Sequence, residues 1–158
     1  MSMRTLLLVE DNPDDEALTL RALRKHGLAQ NVIVAHDGVE ALEILLGPEA
    51  KEVGDPGRPT LVLLDLLMPR MDGLTLLAHL RAHERTRLLP VVILTSSKDE
   101  GDLLRGYALG ANSYIRKPID YLEFAEAARQ IGTYWLGLNE PAPQPSASKP
   151  SPLTRPST

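Results

Sequence analysis

The sequence predicts an α/β fold, a doubly wound parallel sheet of five strands with five helices, and three observations carry that reading. Short apolar runs recur at Thr5–Val9, Val32–Ala35, Leu61–Leu64, Val91–Leu94 and Tyr114–Ile115. The first, third and fourth are almost unbroken Leu, Val and Ile, as strands covered on both faces require. Between the runs, apolar residues fall at the three-and-four spacing of helices. Strands alternating with helices in this way build a parallel sheet with helices on both faces.

The elements follow in order. The first strand ends in Glu10-Asp11, after which Asn12-Pro13 supplies an N-cap and a first helical residue, followed by acids. Ala17, Leu20 and Leu23 form the apolar row of the first helix. The second strand leads into Asp37-Gly38-Val39-Glu40, which reads as a capping box, and then into the row Val39, Leu42, Leu46. Gly47 to Thr60 holds three glycines and three prolines and predicts an exposed loop. The third strand ends in Asp65. On the helix after it, His79 and His83 stand four apart without an acid in a matching arrangement, so they read as solvent-facing. The fourth strand ends in Thr95; Leu104, Tyr107, Ala108 and Ala111 form the row of the fourth helix, which Gly101 and Gly106 should loosen. The fifth strand ends in Lys117, and Arg116 suits its solvent-facing edge. Phe124, Ala128, Ile131, Trp135 and Leu138 then step along a last helix.

Composition sets the bounds. The chain of 158 residues is 43% hydrophobic, enough for one domain, placed at residues 1–138. Residues 139–158 hold six prolines and four serines and predict a disordered tail. The absence of cysteine excludes disulfides, thiolate metal sites and a cysteine nucleophile. A net charge of −4 gives no reason to expect nucleic acid or an anionic membrane as partner. No apolar run approaches a membrane span, and the N-terminus turns acidic at Glu10, unlike a signal peptide, so a cytoplasmic location is expected.

In an open α/β sheet the ligand crevice lies beyond the carboxyl ends of the strands, where strand order reverses. For a flavodoxin-like order 2-1-3-4-5, that point falls between the first and third strands, and Glu10, Asp11 and Asp65 face one another there. Three close carboxylates repel unless a cation sits among them. Oxygen ligands without cysteine point to Mg²⁺, or Mn²⁺, rather than zinc. Lys117 adds a mobile cation and Thr95 a hydroxyl, and together these groups describe a cradle for a phosphoryl group.

At these residues the sequence resembles the response-regulator receiver domain, the phosphoacceptor half of two-component signalling. The motifs are Leu-Leu-Leu-Val-Glu-Asp-Asn at 6–12, Leu-Leu-Asp-Leu-Leu-Met-Pro-Arg-Met-Asp-Gly at 63–73, Val-Val-Ile-Leu-Thr-Ser at 91–96 and Lys-Pro at 117–118. The resemblance spans about residues 3–137. It implies that Asp65 is phosphorylated, that Glu10, Asp11 and the Leu67 backbone carbonyl join Asp65 around the metal, and that Thr95 and Lys117 hold the phosphoryl oxygens. It further implies that Tyr114 is the aromatic switch residue and that the Lys117–Pro118 bond is cis. One departure is Leu67, where many members carry a polar side chain; without one to position water, hydrolysis of the phosphoaspartate should be altered.

The partners implied are a histidine kinase and a second copy of the chain. All six aromatics lie between Tyr107 and Trp135, on the fourth helix, fifth strand and fifth helix, the surface through which receivers commonly form homodimers. No output domain is expected, so the output is protein contact or onward phosphotransfer. The Glu-Asp-Asn-Pro start, the long Gly47–Thr60 loop and the Trp-ended last helix resemble stand-alone receivers that partner phytochrome-type kinases. Three other readings stand beside this one. An aspartyl-nucleophile phosphatase needs an acid where Leu67 stands. A flavin carrier would find its phosphate repelled by Asp11, Asp14 and Asp15. A phosphorylation-independent binding module would have no use for the full set of acids, Thr and Lys.

Overall fold

The computed structural model describes residues 4–28 and 31–143. Strands β1 (Thr5–Val9), β2 (Asn31–Ala35), β3 (Pro59–Leu64), β4 (Val91–Thr95) and β5 (Ser113–Arg116) alternate with helices α1 (Pro13–Lys25), α2 (Gly38–Leu46), α3 (Gly73–Ala82), α4 (Glu100–Ala108) and α5 (Tyr121–Gly132). All strand pairs are parallel and the order is β2-β1-β3-β4-β5, the flavodoxin-like fold that the sequence predicts.

Alternation along the strands divides the core in two. Leu7, Val9, Val62, Leu64, Val91 and Ile93 face Ala41, Leu45, Leu76, Leu77 and Leu80 from α2 and α3. Leu6, Leu8, Leu61, Leu63, Val92 and Leu94 face Leu23, Phe124 and Ile131 from α1 and α5. Each fully buried leucine contributes about 1.5–3 kcal/mol of transfer free energy. Strands β1, β3 and β4 are therefore packed on both faces, and the residues at their carboxyl ends stand on a buried base.

The helix caps follow the sequence. The Asn12 side chain accepts from the Asp14 and Asp15 N–H groups at 2.9 and 3.1 Å. Asp37 accepts from the Glu40 N–H at 2.9 Å, while the Glu40 carboxylate reaches back to the His36 N–H at 3.2 Å. Asp37 also binds the Arg70 Nε at 2.7 Å, tying α2 to the loop after β3, where Arg70 adopts a left-handed φ of 63°. The Glu40 N–H, and then Arg70, hold the Asp37 carboxyl below its ordinary value of 3.8. A lowered acid stabilises the fold above that value and loses the contribution as pH falls below it. Asp37→Ala is expected to lower stability by about 1–2 kcal/mol in urea unfolding at pH 7, with the difference shrinking in acid.

Three apolar rows sit differently from their spacing alone. In α2 the buried residues are Gly38, Ala41 and Leu45, with Val39 exposed. In α4 only Gly106 is buried, while Leu104 and Tyr107 are 72% and 50% exposed. A side chain at Gly106 would stand 3.1 Å from Ile93 Cδ1 and 3.2 Å from Tyr114 Cδ2. This glycine therefore brings the α4 backbone onto the sheet, and the Leu104–Tyr107 row is turned outward. After α5 the chain widens into a π-helical turn, Thr133–Leu138, with the Asn139 N–H bonded to the Tyr134 carbonyl at 2.6 Å. The wider turn breaks the last row: Trp135 packs on the core and Leu138 is 74% exposed.

The segment after α2 is only partly exposed. Val53 and Arg58 are buried, and Arg58 Nη1 donates to the Leu45 and Lys51 carbonyls at 2.6 and 3.0 Å. Arg4 Nη1 donates to the Asn139 carbonyl at 2.7 Å, so the chain is held against β1 up to that residue. Of the Pro- and Ser-rich stretch, residues 144–158 lie outside the described residues. Among the described residues, no helix is long and apolar enough to cross a membrane.

Candidate acidic site at the carboxyl ends of the strands

Strand register brings the chemistry-bearing residues to one place. Val9 pairs with Leu64, so Glu10 and Asp65 leave neighbouring strands at the same level. Ladder bonds continue past the strands: the Asp65 N–H donates to the Val9 carbonyl at 3.1 Å, the Glu10 N–H to Ala35 at 2.9 Å, and the Lys117 N–H to Thr95 at 2.8 Å. Gly73 fixes the loop after Asp65. A side chain there would lie 2.4 Å from the Asp65 carbonyl and 2.8 Å from Leu66 Cα, so only glycine lets α3 start this close to the strand end.

Carboxylate oxygens of Glu10, Asp11 and Asp65 all lie within 4.8 Å of one another. Glu10 and Asp65 are buried, whereas Asp11 is exposed. Lys117 stands among them, its side chain only 7% exposed. Its Nζ lies 2.8 Å from Glu10 Oε1, 3.0 Å from Asp65 Oδ2 and 2.7 Å from Asp15 Oδ2. Burial opposes the Lys117 charge, but the bonds to Asp15 and Glu10 and the charge of Asp65 outweigh it, raising its pKa above the ordinary 10.5. Burial also pushes the Glu10 carboxyl up from 4.5 to about 7, against the lowering effect of Lys117.

Thr95 is fully buried at the end of β4, its hydroxyl oxygen accepting from the Ser97 N–H at 3.3 Å. Ser97 in turn donates its hydroxyl to Asp102 Oδ2 at 2.6 Å, linking the β4 end to α4. The Leu67 N–H donates to Asp65 Oδ1 at 3.2 Å, and the Leu67 side chain is 54% exposed beside the acids. Tyr114 lies against the core, 6.4 Å from the Tyr107 ring; its Oη is buried without a hydrogen-bond partner among the described residues, and burial pushes its pKa up. The Lys117–Pro118 bond is trans, not the cis isomer implied by the resemblance. Trans is the lower-energy isomer before proline by about 0.5–1 kcal/mol, and in it Lys117 already reaches the carboxylates.

The structure thus gathers Glu10, Asp11, Asp65 and Lys117, with Thr95 and Leu67 on the adjoining strand end and loop. It adds Asp15, an acid of the first turn of α1 that the sequence does not mark as a partner of Lys117. The donor set suits a divalent cation. Its three carboxylates, with no thiolate or imidazole among them, offer the hard oxygens that Mg²⁺ or Mn²⁺ takes.

A lysine held among acids at the switch point of a flavodoxin-like sheet is the arrangement of a receiver-class domain. The response regulator receiver domain profile matches residues 6–129, and the chain belongs to that family. It is accordingly a signal-transduction module of the two-component type, and such domains bind a divalent metal.

Among curated relatives, the chain is 38% identical over 134 residues to the probable methanogenesis regulatory protein FilR2 of Methanothrix harundinacea, covering 85% of this chain and 84% of the relative. It is 32% identical over 133 residues to response regulator Rcp1 of Synechocystis, covering 84% and 89%. The structure of Mn²⁺-bound Rcp1 is similar at a TM-score of 0.78 and 30% identity, covering 88% of this chain and 99% of that one. The phosphorylated cyanobacterial phytochrome response regulator RcpA gives 0.79 at 31% identity, covering 89% and 99%. The bacteriophytochrome response regulator AtBRR gives 0.64 at 44% identity, covering 89% and 100%.

Proposed function

We propose that the chain accepts a phosphoryl group on Asp65 from the phosphohistidine of a histidine kinase. The observation that carries this reading is a buried carboxylate at a strand end with an ammonium 3.0 Å away and two further acids beside it. An Asp65 oxygen attacks phosphorus, an O–P bond forms as the P–N bond breaks, and the leaving imidazole nitrogen keeps the electron pair and takes a proton from water. Lys117 holds one phosphoryl oxygen through its ammonium, and the Thr95 hydroxyl donates to another. Glu10, Asp11, Asp65 and the Leu67 carbonyl are the residues to hold Mg²⁺ or Mn²⁺, which when bound offsets negative charge on the phosphoryl oxygens. The trapped charge then biases the β4–α4 segment through Thr95, Ser97 and Tyr114. The product acyl phosphate hydrolyses slowly, and the domain performs no other catalysis.

The likeness to the phytochrome response regulator RcpA and the bacteriophytochrome response regulator AtBRR supports a phytochrome-type kinase as partner. The coverage of FilR2 and Rcp1 over most of their lengths supports a stand-alone role, for which we propose a cytoplasmic location. Output is a protein contact or onward phosphotransfer, with neither nucleic acid nor membrane as partner. The outward row of Leu104 and Tyr107, together with Tyr121 and Tyr134, supports a homodimer through α4, β5 and α5.

Incubation with Mg²⁺ and a small acyl-phosphate donor, followed by intact-mass measurement, tests the reading. One added phosphoryl group is expected, lost in alkali and absent when the metal is chelated. A chain that binds metal, stays folded and takes up nothing would instead be a phosphorylation-independent binding module.

A further inference from the structure

We propose that Asp15 is a positioning residue that clamps Lys117 in the resting site and yields it to the phosphoryl group; this rests on the reading of Asp65 as the phosphoacceptor. An ammonium has three N–H bonds. In this site all three are taken, by Glu10 at 2.8 Å, Asp15 at 2.7 Å and Asp65 at 3.0 Å. A phosphoryl group on Asp65 brings new acceptor oxygens and up to two negative charges. Lys117 serves them only by releasing a partner it already has.

Asp15 is the partner most easily released. Glu10 and Asp65 have side chains 4% and 5% exposed and belong to the group that suits a metal, so with or without the cation they stay in the site. Without it, parting either from the ammonium leaves a carboxylate with little water. The Asp15 side chain is 27% exposed and stands in the first turn of α1, where solvent and the helix N-terminus stabilise an anion. Asp15 also lies outside the group of Glu10, Asp11 and Asp65 that suits a metal. Removing it frees one N–H while two carboxylates still hold the amine in place.

The test uses beryllofluoride, a noncovalent stand-in for the phosphoryl group, titrated calorimetrically into the full chain at saturating Mg²⁺. Asp15→Asn and Asp15→Ala are expected to bind it about threefold more tightly than the unsubstituted chain. Asp14→Asn removes the same charge one residue away, from an exposed side chain that makes no ion pair among the described residues, and should change binding little. In titrations with Mg²⁺ alone, Asp15→Asn should stay within about twofold of the unsubstituted chain, as expected of an acid that is not a ligand.

Equal effects of the Asp14 and Asp15 substitutions would overturn the proposal, because charge alone would then account for both. Weaker beryllofluoride binding by the Asp15 variants would overturn it in the opposite sense, making Asp15 a support for the bound state. A tenfold or larger fall in Mg²⁺ affinity would make Asp15 a metal ligand instead. If the unsubstituted chain binds Mg²⁺ but no beryllofluoride, the phosphoacceptor reading fails and the clamp fails with it.

Discussion

Asp65→Asn takes up no phosphoryl group from a small acyl-phosphate donor, a loss of at least about a thousandfold in initial rate by intact mass. The carboxamide keeps the size of the side chain and can still accept from the Leu67 N–H, bonded to Asp65 Oδ1 at 3.2 Å in the native chain. What it loses is the anionic oxygen that attacks phosphorus. Neighbouring acids are poor substitutes. Glu10 is buried and bound to Lys117 at 2.8 Å, and Asp15 is bound to the same ammonium at 2.7 Å. The substitution gives up one ion pair to Lys117 but leaves Glu10 and Asp15 on the ammonium and removes one of the mutually repelling charges. The variant should therefore unfold at a temperature close to that of the native chain. Lost phosphorylation with retained stability separates a chemical role for Asp65 from a structural one.

Lys117→Met is expected to damage both transfer and folding. The native ammonium lies within 3.0 Å of three carboxylates and is the one cation in contact with them among the described residues. Removing one side of a buried ion pair costs about 3–5 kcal/mol, because the charges left behind have neither water nor a partner. Protonation relieves part of that cost, which gives the pH dependence its sign. An acid raised in the fold, as Glu10 is from 4.5 to about 7, contributes stability below its ordinary value and loses it as pH rises toward the folded one. Without Lys117 the neighbouring acids lose the interaction that held them down. The variant should therefore lie nearest the native chain around pH 5 and fall furthest below it by about pH 8 in urea unfolding. Millimolar Mg²⁺ should recover part of the loss at high pH, while phosphoryl uptake stays depressed because no ammonium meets the incoming oxygens. A stability difference independent of pH would contradict this account of the site's charges.

Much of this was legible in the sequence because strand ends are marked by an abrupt change from apolar to polar residues. Val9-Glu10, Leu64-Asp65 and Leu94-Thr95 each show it, and strand order then dictates which of them meet. Asp15 was missed because acids in a first helical turn have an ordinary explanation in the macrodipole. The available signal was quantity: Glu10, Asp11, Asp14, Asp15 and Glu16 are five acids in seven residues, more than capping requires. The orientation of α4 was hidden for a different reason. Spacing shows that Leu104 and Tyr107 share a face, but the side that meets the sheet was decided by Gly106, which contributes backbone rather than apolar area. The isomer of the Lys117–Pro118 bond was not legible either, since the two forms differ by only about 0.5–1 kcal/mol and tertiary contacts choose between them.

Phosphorylation at the Asp65 carboxylate, and nowhere else, is checked by locating the modified residue. Borohydride reduces an aspartyl phosphate to homoserine, which survives proteolysis and marks its position in the fragment masses. Homoserine is expected at residue 65 alone, in the fragment carrying Leu63-Leu64-Asp65-Leu66. Homoserine elsewhere, or a phosphoryl group that resists both borohydride and alkali, would contradict it.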